Sequence, residues 1–343
     1  MFVTSLIRSR TGILYLNLWL FFSIWTASAA PTVTATAAVV YDPLSQQCIY
    51  NKNMDLPMYP ASTVKLLTAM IALDRWSLSK KIKIPRSVEK ICPYKLYLKK
   101  NDVYSLEEML NALLIRSAND VAHTLAINYA GSERRFAVIM NKKAWSIGAR
   151  HSYFTNPHGL PNSKQLVTAR DMALLVEYTM RYPAITKIMG KRFYQFHKKH
   201  NTKSVELITR NRLLLDHFKP VVLGKTGYTN KAGRCFAGYI DDPAHPMIIV
   251  IFQSKNRWGD VRKLAVWANQ FYHSCIQRNK KLLGKTPVSL LQEKLFSLGF
   301  YYGKVDNLFG RQTEAAVLRF QNKQGLKVNG ILNNISLDLL GLN

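Results

Sequence analysis

Three short segments of the chain carry residue types that could together cleave an amide bond. The first is Ser62-Thr63-Val64-Lys65, which opens an apolar helical pattern. A spacing of three places the Ser62 hydroxyl and the Lys65 amine one turn apart on the same helix face. Serine attacks an amide only if a partner takes its proton, and lysine can do so only if burial or a nearby cation lowers its pKa. This segment therefore predicts a nucleophile, Ser62, beside a general base, Lys65, at a helix start that favours negative charge on a substrate carbonyl.

The second segment, Ser117-Ala118-Asn119, falls where one helical stripe ends near Ile115 and another begins near Val121. A break between helices can present both polar side chains to a cleft. A second hydroxyl could relay a proton to a leaving group, and an amide could hydrogen-bond a peptide backbone. The plainer interpretation of this segment by itself is a turn that separates two helices.

The third segment, Lys225-Thr226-Gly227, follows the apolar residues 221–223 on a predicted strand. Gly227 removes a side chain where a ligand could approach the backbone. An edge strand here could bind an extended peptide, with Lys225 and Thr226 holding its terminal carboxylate and backbone amides polarising the scissile carbonyl. Each segment is common alone, but the three in this order, each on the element it needs, predict an active site.

The elements that would position these segments are strands at both ends of a helical middle. A hairpin is predicted within 37–50, around Asp42-Pro43, and helical periodicity dominates 62–182, where Ser105 and Glu108 form a capping-box pattern. Further strands are predicted at 221–226, 234–240 and 247–252, followed by a helix at about 260–272. Short turns imply antiparallel pairing, so we predict an α/β (α+β) domain with an antiparallel sheet covered by helices.

The chain divides into four parts. Arg8 and Arg10 precede an apolar run and the small residues Ala27-Ser28-Ala29, which indicates a signal peptide over 1–29 that directs export to the periplasm or cell envelope. An uncleaved anchor stays an alternative. The predicted catalytic domain covers 30–276. A polar, basic linker at 277–287 and a small three-helix domain at 288–343 follow.

The composition limits the partners. A formal net charge of +28 attracts polyanions, but an export signal argues against nucleic acid and leaves wall peptides, anionic wall polymers or lipid surfaces. A solvated basic surface without a specific partner is the alternative.

The cysteines lack the paired spacing of zinc sites, so no metal or other cofactor is predicted; disulfides and free thiols both stay open. They are Cys48, Cys92, Cys235 and Cys275.

In this order the three segments resemble the motifs of serine penicillin-binding proteins and serine β-lactamases. Flanking residues narrow the resemblance, over about 36–255, to the low-molecular-mass D-alanyl-D-alanine carboxypeptidases of peptidase family S11. These residues are Pro60-Ala61, Arg116, Asp120, Asn156-Pro157-His158-Gly159-Leu160, Thr168-Ala169-Arg170-Asp171, Gly224, Tyr228-Thr229 and Ala232-Gly233. The resemblance implies the transpeptidase-like fold shared by serine β-lactamases and penicillin-binding proteins.

The resemblance also implies residue roles. Ser62 would form the acyl-enzyme, also with β-lactams, while Lys65 acts as general base and Ser117 relays protons. Substrate would be bound by Asn119, which orients it, by Lys225 and Thr226, which take its carboxylate, and by the Gly227 and Tyr228 end of the strand. The oxyanion hole would be the amides of Ser62 and Tyr228. His158 is expected to be a turn residue, because Lys65 already fills the role of base.

Rapid β-lactam hydrolysis is not expected. Class A β-lactamases activate water with a glutamate in a Glu-x-x-Leu-Asn loop. Between Asp120 and Val205 the only glutamates are Glu133 and Glu177. Glu177 is followed by Tyr-Thr-Met-Arg, which does not match that loop. We therefore expect slow turnover of the acyl-enzyme.

Residues 288–341 resemble the small three-helix peptidoglycan-binding module. The matching residues are Leu291, Leu295, Leu298-Gly299, Gly303, Asp306, Phe309-Gly310, Thr313, Ala316-Val317, Phe320-Gln321, Gly325-Leu326 and Val328-Asn329-Gly330. Ser336 replaces the usual threonine, which keeps helix capping intact. The module implies binding of glycan or wall polymer, in place of the membrane-docking helix of better-known carboxypeptidases; packing or protein contact is the alternative.

The leading hypothesis is a serine-type D-Ala-D-Ala carboxypeptidase that removes the terminal D-alanine of peptidoglycan stem peptides. A D,D-endopeptidase that cuts cross-links would use the same machinery. A noncatalytic wall-binding or β-lactam-sensing protein, or a basic protein that binds lipid or polymer, stays a further alternative.

Overall fold

The computed structural model describes residues 30–91, 93–200, 204–243 and 245–342. The predicted signal segment at 1–29 and Cys92 lie outside these residues. Within them, no helix combines the length and apolarity that a membrane span requires. Cys48, Cys235 and Cys275 are free thiols.

A five-stranded antiparallel sheet forms the centre of the larger domain. Its strands lie in the order β2-β1-β9-β8-β7, so β2 and β7 are the edges. Two short two-stranded sheets, β3 with β4 and β5 with β6, lie outside it. The strands are β1 (Ala37–Asp42), β2 (Gln47–Lys52), β3 (Lys81–Lys83), β4 (Val103–Ser105), β5 (Phe193–His197), β6 (Ser204–Ile208), β7 (Val222–Thr229), β8 (Gly233–Ile240) and β9 (Ile248–Ser254).

Helices cover both faces of the sheet. Alternate residues of β1 enter different cores, since Ala37 and Val39 face one side and Ala38 and Val40 the other. Every residue of β1 is consequently buried. The helices of this domain are α1 (Lys65–Arg75), α2 (Leu106–Asn111), α3 (Asn119–Ala130), α4 (Glu133–Ile147), α5 (Ala169–Thr179), α6 (Pro183–Met189), α7 (Arg212–Leu215) and α8 (Arg257–Leu283).

Most predicted elements are confirmed. The hairpin at 37–50 corresponds to β1 and β2, and the three later strands correspond to β7, β8 and β9. The capping box is present: the Ser105 amide donates to Glu108 Oε2 at 2.7 Å, and the Glu108 amide donates to Ser105 Oγ at 3.2 Å. The antiparallel sheet with helices on both faces therefore agrees with the predicted fold.

Residues 277–283, which we predicted to be part of a polar linker, are helical. Helix α8 continues to Leu283, well beyond the predicted end near 272. No glycine or proline occurs between Asp260 and Leu283. Asn279 and Leu283 are buried against the smaller domain, so tertiary contacts support a stretch whose own periodicity is weak. Residues 284–287 connect α8 to the next helix, which begins at Val288.

The smaller domain has the three helices that were predicted. They are α9 (Val288–Ser297), α10 (Arg311–Lys323) and α11 (Asn334–Leu340). Leu291, Leu295 and Phe320 are fully buried at its centre. The domain packs on α8 and on the β1–β2 turn, at the opposite edge of the main sheet from β7.

Candidate active site

Ser62 lies at the N-terminal end of a helix. It belongs to a 3₁₀ turn, Ala61–Val64, that runs directly into α1. Lys65 Nζ lies 2.8 Å from Ser62 Oγ, as the spacing of three predicts. Lys65 is completely buried, whereas Ser62 keeps access to a cleft.

Two further oxygens fix the Lys65 amine. Lys65 Nζ donates to Asn119 Oδ1 at 2.7 Å and to the His158 carbonyl at 2.6 Å. Burial, together with the positive charge of Arg210, holds the pKa of Lys65 well below its ordinary value, although Asp120 acts in the opposite direction. A neutral amine has two N–H groups, which these two oxygens would occupy. Its lone pair would then face the Ser62 hydroxyl.

Ser117 lies at a break between two helices. A π-helical turn, Ala112–Arg116, ends there, and Ser117 adopts left-handed backbone angles (φ 68°, ψ 36°) before α3 begins at Asn119. Its Oγ is buried and has no hydrogen-bond partner, yet Ser117 lines the cleft beside Ser62. An unpaired buried hydroxyl costs free energy, which a bound ligand could recover.

Asn119 has a different environment from the one predicted. We expected it to bind substrate, but its Oδ1 accepts from Lys65 and its Nδ2 donates to the Pro93 carbonyl at 2.6 Å. Only 2% of Asn119 is exposed. Both ends of the amide are thus engaged inside the protein, and one of them holds Lys65; a role in orienting substrate stays a prediction.

Strand β7 brings the third segment to the nucleophile. A Cβ built on Gly227 would lie 3.1 Å from the Ser62 amide nitrogen and 3.0 Å from Ala61 Cβ. Gly227 therefore permits close packing of the strand on the 3₁₀ turn, and it also lines the cleft beside Ser62. Thr226 and Tyr228 line the cleft, and Tyr228 is half-exposed.

Lys225 is buried beneath the strand. Its Nζ donates to the Thr226 carbonyl at 2.9 Å, and only 1% of the residue is exposed. Burial lowers the pKa of Lys225 well below its ordinary value, and the nearby Lys65, Arg210 and Arg257 lower it further. Lys225 is thus not at the cleft surface, where we expected it to hold a carboxylate.

Two arginines that the sequence did not reveal line the cleft instead. Arg210 stacks on Tyr94, with its guanidinium 5.0 Å from the ring centre. Arg257 donates to the Gly227 carbonyl at 3.1 Å, while its Nε is buried without a partner. Burial lowers the pKa of Arg257 to about 10, and other arginines contribute. Neither residue belongs to a recognisable motif, so only the folded chain identifies them.

The cleft has a volume of about 70 Å³ and no acidic lining residue in the described part of the chain. Glu177 accepts a hydrogen bond from Tyr41 at 3.0 Å and lies elsewhere. Glu133 contacts the imidazoles of His123 and His158 and does not line the cleft. No group of three or more potential metal ligands occurs among the described residues.

His158 supports the site through its backbone. Its carbonyl accepts from Lys65, while its Nδ1 accepts from the Leu160 amide at 3.2 Å and its Nε2 lies 3.4 Å from Glu133 Oε1. The imidazole is therefore directed away from Ser62. Burial lowers the pKa of His158, although Glu133 opposes this shift.

A buried amine beside a serine at a helix start, facing an edge strand of an antiparallel sheet, defines a serine hydrolase of the penicillin-binding-protein fold. Penicillin-binding protein D2 of Listeria monocytogenes, solved in its ampicillin-bound form, superposes with a TM-score of 0.60 at 26% identity. The match covers 70% of this chain and all of that one.

Sequence comparisons identify the family. The D-alanyl-D-alanine carboxypeptidase family (peptidase S11) matches residues 24–256, and the peptidoglycan binding domain family matches 285–340. D-alanyl-D-alanine carboxypeptidase DacF of Bacillus subtilis is 31% identical over 77% of this chain and 70% of its own. A D-alanyl-D-alanine endopeptidase of Escherichia coli is 29% identical over 71% of this chain and 79% of its own. The chain belongs to the D-alanyl-D-alanine carboxypeptidase family and is a serine-type carboxypeptidase.

Proposed function

We propose that Ser62, activated by Lys65, removes the terminal D-alanine of peptidoglycan stem peptides through an acyl-enzyme. The observation that carries this assignment is the position of Lys65 Nζ, 2.8 Å from Ser62 Oγ and held by two other oxygens. A pKa well below the ordinary value favours the neutral amine that a general base requires.

The geometry supports acylation of Ser62 by the following steps. Ser62 Oγ attacks the carbonyl of the penultimate residue as its proton passes to Lys65 Nζ. The amides of Ser62 and Tyr228 stabilise the oxyanion. Collapse of the tetrahedral intermediate breaks the amide bond, and the nitrogen of the leaving D-alanine receives a proton from Ser117 Oγ. Ser117 then regains a proton from Lys65.

Deacylation reverses these proton movements. A water molecule attacks the Ser62 ester and gives its proton to Lys65, and the ester oxygen then takes that proton back. The shortened peptide leaves with a free carboxylate. Because no acidic residue lines the described cleft to assist the water, a β-lactam that acylates Ser62 would be released slowly.

We assign carboxylate recognition to the cations that line the cleft. Arg210 and Arg257 line the cleft, together with the Thr226 hydroxyl, and guanidinium groups pair well with carboxylates. Buried Lys225 would act from below, through its hydrogen bond to the Thr226 carbonyl. Asn119 would orient substrate only indirectly, through Lys65.

The test is release of D-alanine from a purified stem pentapeptide. The wild-type chain should release it, and Ser62→Ala and Lys65→Ala should lose at least about 10³-fold in kcat/KM, the scale of a lost nucleophile or base. Arg257→Gln should mainly raise KM. Full activity in Ser62→Ala would refute the assignment.

A D,D-endopeptidase is the second candidate, because the Escherichia coli relative at 29% identity carries that name. The two activities share the acylation machinery and differ in the leaving group. Matched assays with the pentapeptide monomer and the cross-linked dimer separate them. Release of free D-alanine from the monomer alone favours the carboxypeptidase, whereas cleavage of the dimer alone favours the endopeptidase.

The wall is also the proposed location. The peptidoglycan-binding family match at 285–340 and a formal net charge of +28 support an exported enzyme held on a wall that carries carboxylates. We propose that residues 30–283 fold as the catalytic domain and 288–342 as the wall-binding domain. Cell fractionation should find the chain in the envelope.

A further inference from the structure

A groove of about 280 Å³ lies at the junction of the two domains, away from the cleft. One stripe of α8 forms its first wall, and the loop between α10 and α11 forms the second. The α8 stripe is Trp267, Gln270, Phe271, Ser274 and Arg278, and Lys327 lies across from it. Ile49 of β2 places the groove at the opposite edge of the main sheet from β7.

The two walls are fastened to each other. Asn279 Nδ2 donates to the Gly330 carbonyl at 2.7 Å, and Asn279 Oδ1 accepts from the Leu332 amide at 2.8 Å. Asn279 is fully buried. A buried ion pair between Arg311 and Asp42, with an N–O distance of 2.6 Å, joins the domains at a second point. The groove is therefore preformed, which lowers the entropic cost of binding.

The groove combines an aromatic floor with unpaired polar groups. The rings of Trp267 and Phe271 lie 5.2 Å apart along its base. In the described part of the chain, no hydrogen bond or ion pair engages the side chains of Gln270, Arg278 or Lys327. Aromatic faces pack against the apolar faces of sugar rings, amides hydrogen-bond to hydroxyl and acetamido groups, and cations pair with carboxylates.

We propose that this groove binds a peptidoglycan strand, with an amino sugar on the aromatic floor and a stem-peptide carboxylate between Arg278 and Lys327. The proposal rests on the proposed function, since it concerns the same polymer. The volume is near the lower end of ordinary ligand sites, about 300 Å³, and suits one sugar with the start of its peptide. Held at this second site, the wall would present neighbouring stem peptides to Ser62 at a raised effective concentration.

The experiment is co-sedimentation of the full chain with purified insoluble peptidoglycan. The double variant Arg278→Gln/Lys327→Gln should bind about tenfold more weakly, because it loses two charged contacts. The double variant Lys280→Gln/Lys323→Gln is the matched control: both lysines are exposed on the same two domains, outside the groove, and the charge change is identical. The control should stay within about twofold of the wild type.

A second variant tests the groove without changing charge. Ser274→Trp would fill it and should reduce binding to the same extent as the charge variant. Equal losses in the two double variants would overturn the proposal in favour of unspecific electrostatics, and wild-type binding by both groove variants would overturn it outright. Loss of binding to immobilised polyphosphate but not to peptidoglycan would assign the groove to a phosphate polymer instead.

Acylation by a fluorescent penicillin separates this inference from the proposed function. All the groove variants should be labelled at the wild-type rate, because the groove and Ser62 lie at opposite edges of the sheet. Absent labelling of the wild type would refute the Ser62 assignment while leaving the binding result interpretable.

Discussion

At the scale of single residues, Lys65 combines a chemical requirement with a cost in stability. Its pKa is lowered chiefly by burial, so the folded protein holds the amine proton less tightly than the unfolded chain does. A lysine of this kind contributes most to stability above its unfolded pKa of about 10.5, and that contribution is lost as pH falls through the lowered folded value.

Lys65→Met should therefore abolish acylation and also flatten the dependence of stability on pH. Relative to the wild type, the variant should gain free energy of unfolding as pH is lowered from about 9 to 5. Denaturant unfolding at several pH values measures this gain. If the free energy of unfolding depended on pH in the same way in both proteins, that result would contradict a lowered pKa for Lys65.

Glu133 makes a second prediction at this scale. Burial disfavours its charge, but hydrogen bonds from His123 and His158 outweigh burial and lower its pKa to about 2. This stabilisation is present above about pH 4.5 and is lost as pH falls through about 2. Glu133→Gln should cost about 2 kcal/mol at pH 7, and the difference from the wild type should shrink between pH 5 and 3.

The same substitution should slow acylation, because the loop that Glu133 supports supplies the His158 carbonyl to Lys65. Stopped-flow acylation measures the rate and chemical unfolding measures the stability. Glu107→Gln, at an acidic residue without the histidine contacts, is the control. An unchanged acylation rate in Glu133→Gln would remove Glu133 from the support of the site.

Ser62, Lys65 and Ser117 could be predicted from the sequence because each has a type and spacing that its chemistry requires. Arg210 and Arg257 could not, since an isolated arginine carries no pattern until the chain folds. The hydrogen-bond partners of Asn119 and Lys225 could not be predicted either. A motif identifies a residue, but it does not show which neighbouring groups form its hydrogen bonds.

At the scale of elements, the site depends on close backbone packing around the 3₁₀ turn at Ala61–Val64. Gly159 has φ +84°, and a Cβ there would lie 1.8 Å from the Ala61 carbonyl oxygen. No rotamer change can relieve a contact between a Cβ and a backbone atom. The loop at 156–160 must therefore move away from Ser62 if this position gains a side chain.

Gly159→Ala should destabilise the fold by about 2 kcal/mol or more and strongly reduce acylation. Gly299→Ala is a matched control, because its φ is +77° but its Cβ would meet nothing within 4 Å. It should cost only about 1 kcal/mol and leave acylation unchanged. Thermal unfolding and penicillin labelling measure both effects; similar behaviour of the two variants would contradict the packing argument.

Strands and amphipathic helices were predictable because one face of each packs on a core. The extension of α8 to Leu283 was not, since Asn279 is a polar residue whose burial depends on a partner 51 residues away. The local hydrophobic periodicity of the sequence does not indicate such a contact. The resulting continuous helix connects the domains where a linker was expected.

At the scale of the whole molecule, a buried cluster of two carboxylates and one guanidinium joins the domains. Arg311 pairs with Asp42 of β1 and with Glu314, and both acids are fully buried. Burial raises the pKa of Glu314 to about 7, although Arg311 opposes the shift. Protonation of Glu314 thus stabilises the folded protein. This stabilisation is fully present below about pH 4.5 and is lost as pH rises through about 7.

Glu314→Gln should remove this pH dependence. The variant should exceed the wild type in stability by about 2 kcal/mol at pH 8.5 and lose most of that advantage at pH 5. Differential scanning calorimetry of the full chain at the two pH values provides the measurement. A larger advantage at pH 5 than at pH 8.5 would contradict the assignment.

The presence of a second, helical domain was predictable from its own pattern, but its attachment was not. The contacts of Asp42 and Leu44 with Arg311 and Arg319 join residues about 270 positions apart in the chain. No short-range signal identifies such pairs, so the groove at the junction is visible only in the folded molecule.

The central claim is that Ser62 becomes covalently acylated. Incubation of the full chain with a β-lactam, followed by intact mass spectrometry and peptide mapping, tests it most directly. We predict one adduct per chain, of the mass of the intact β-lactam, on the peptide that contains Ser62, and no adduct in Ser62→Ala. An adduct on another residue, or none on the wild type, would contradict the account.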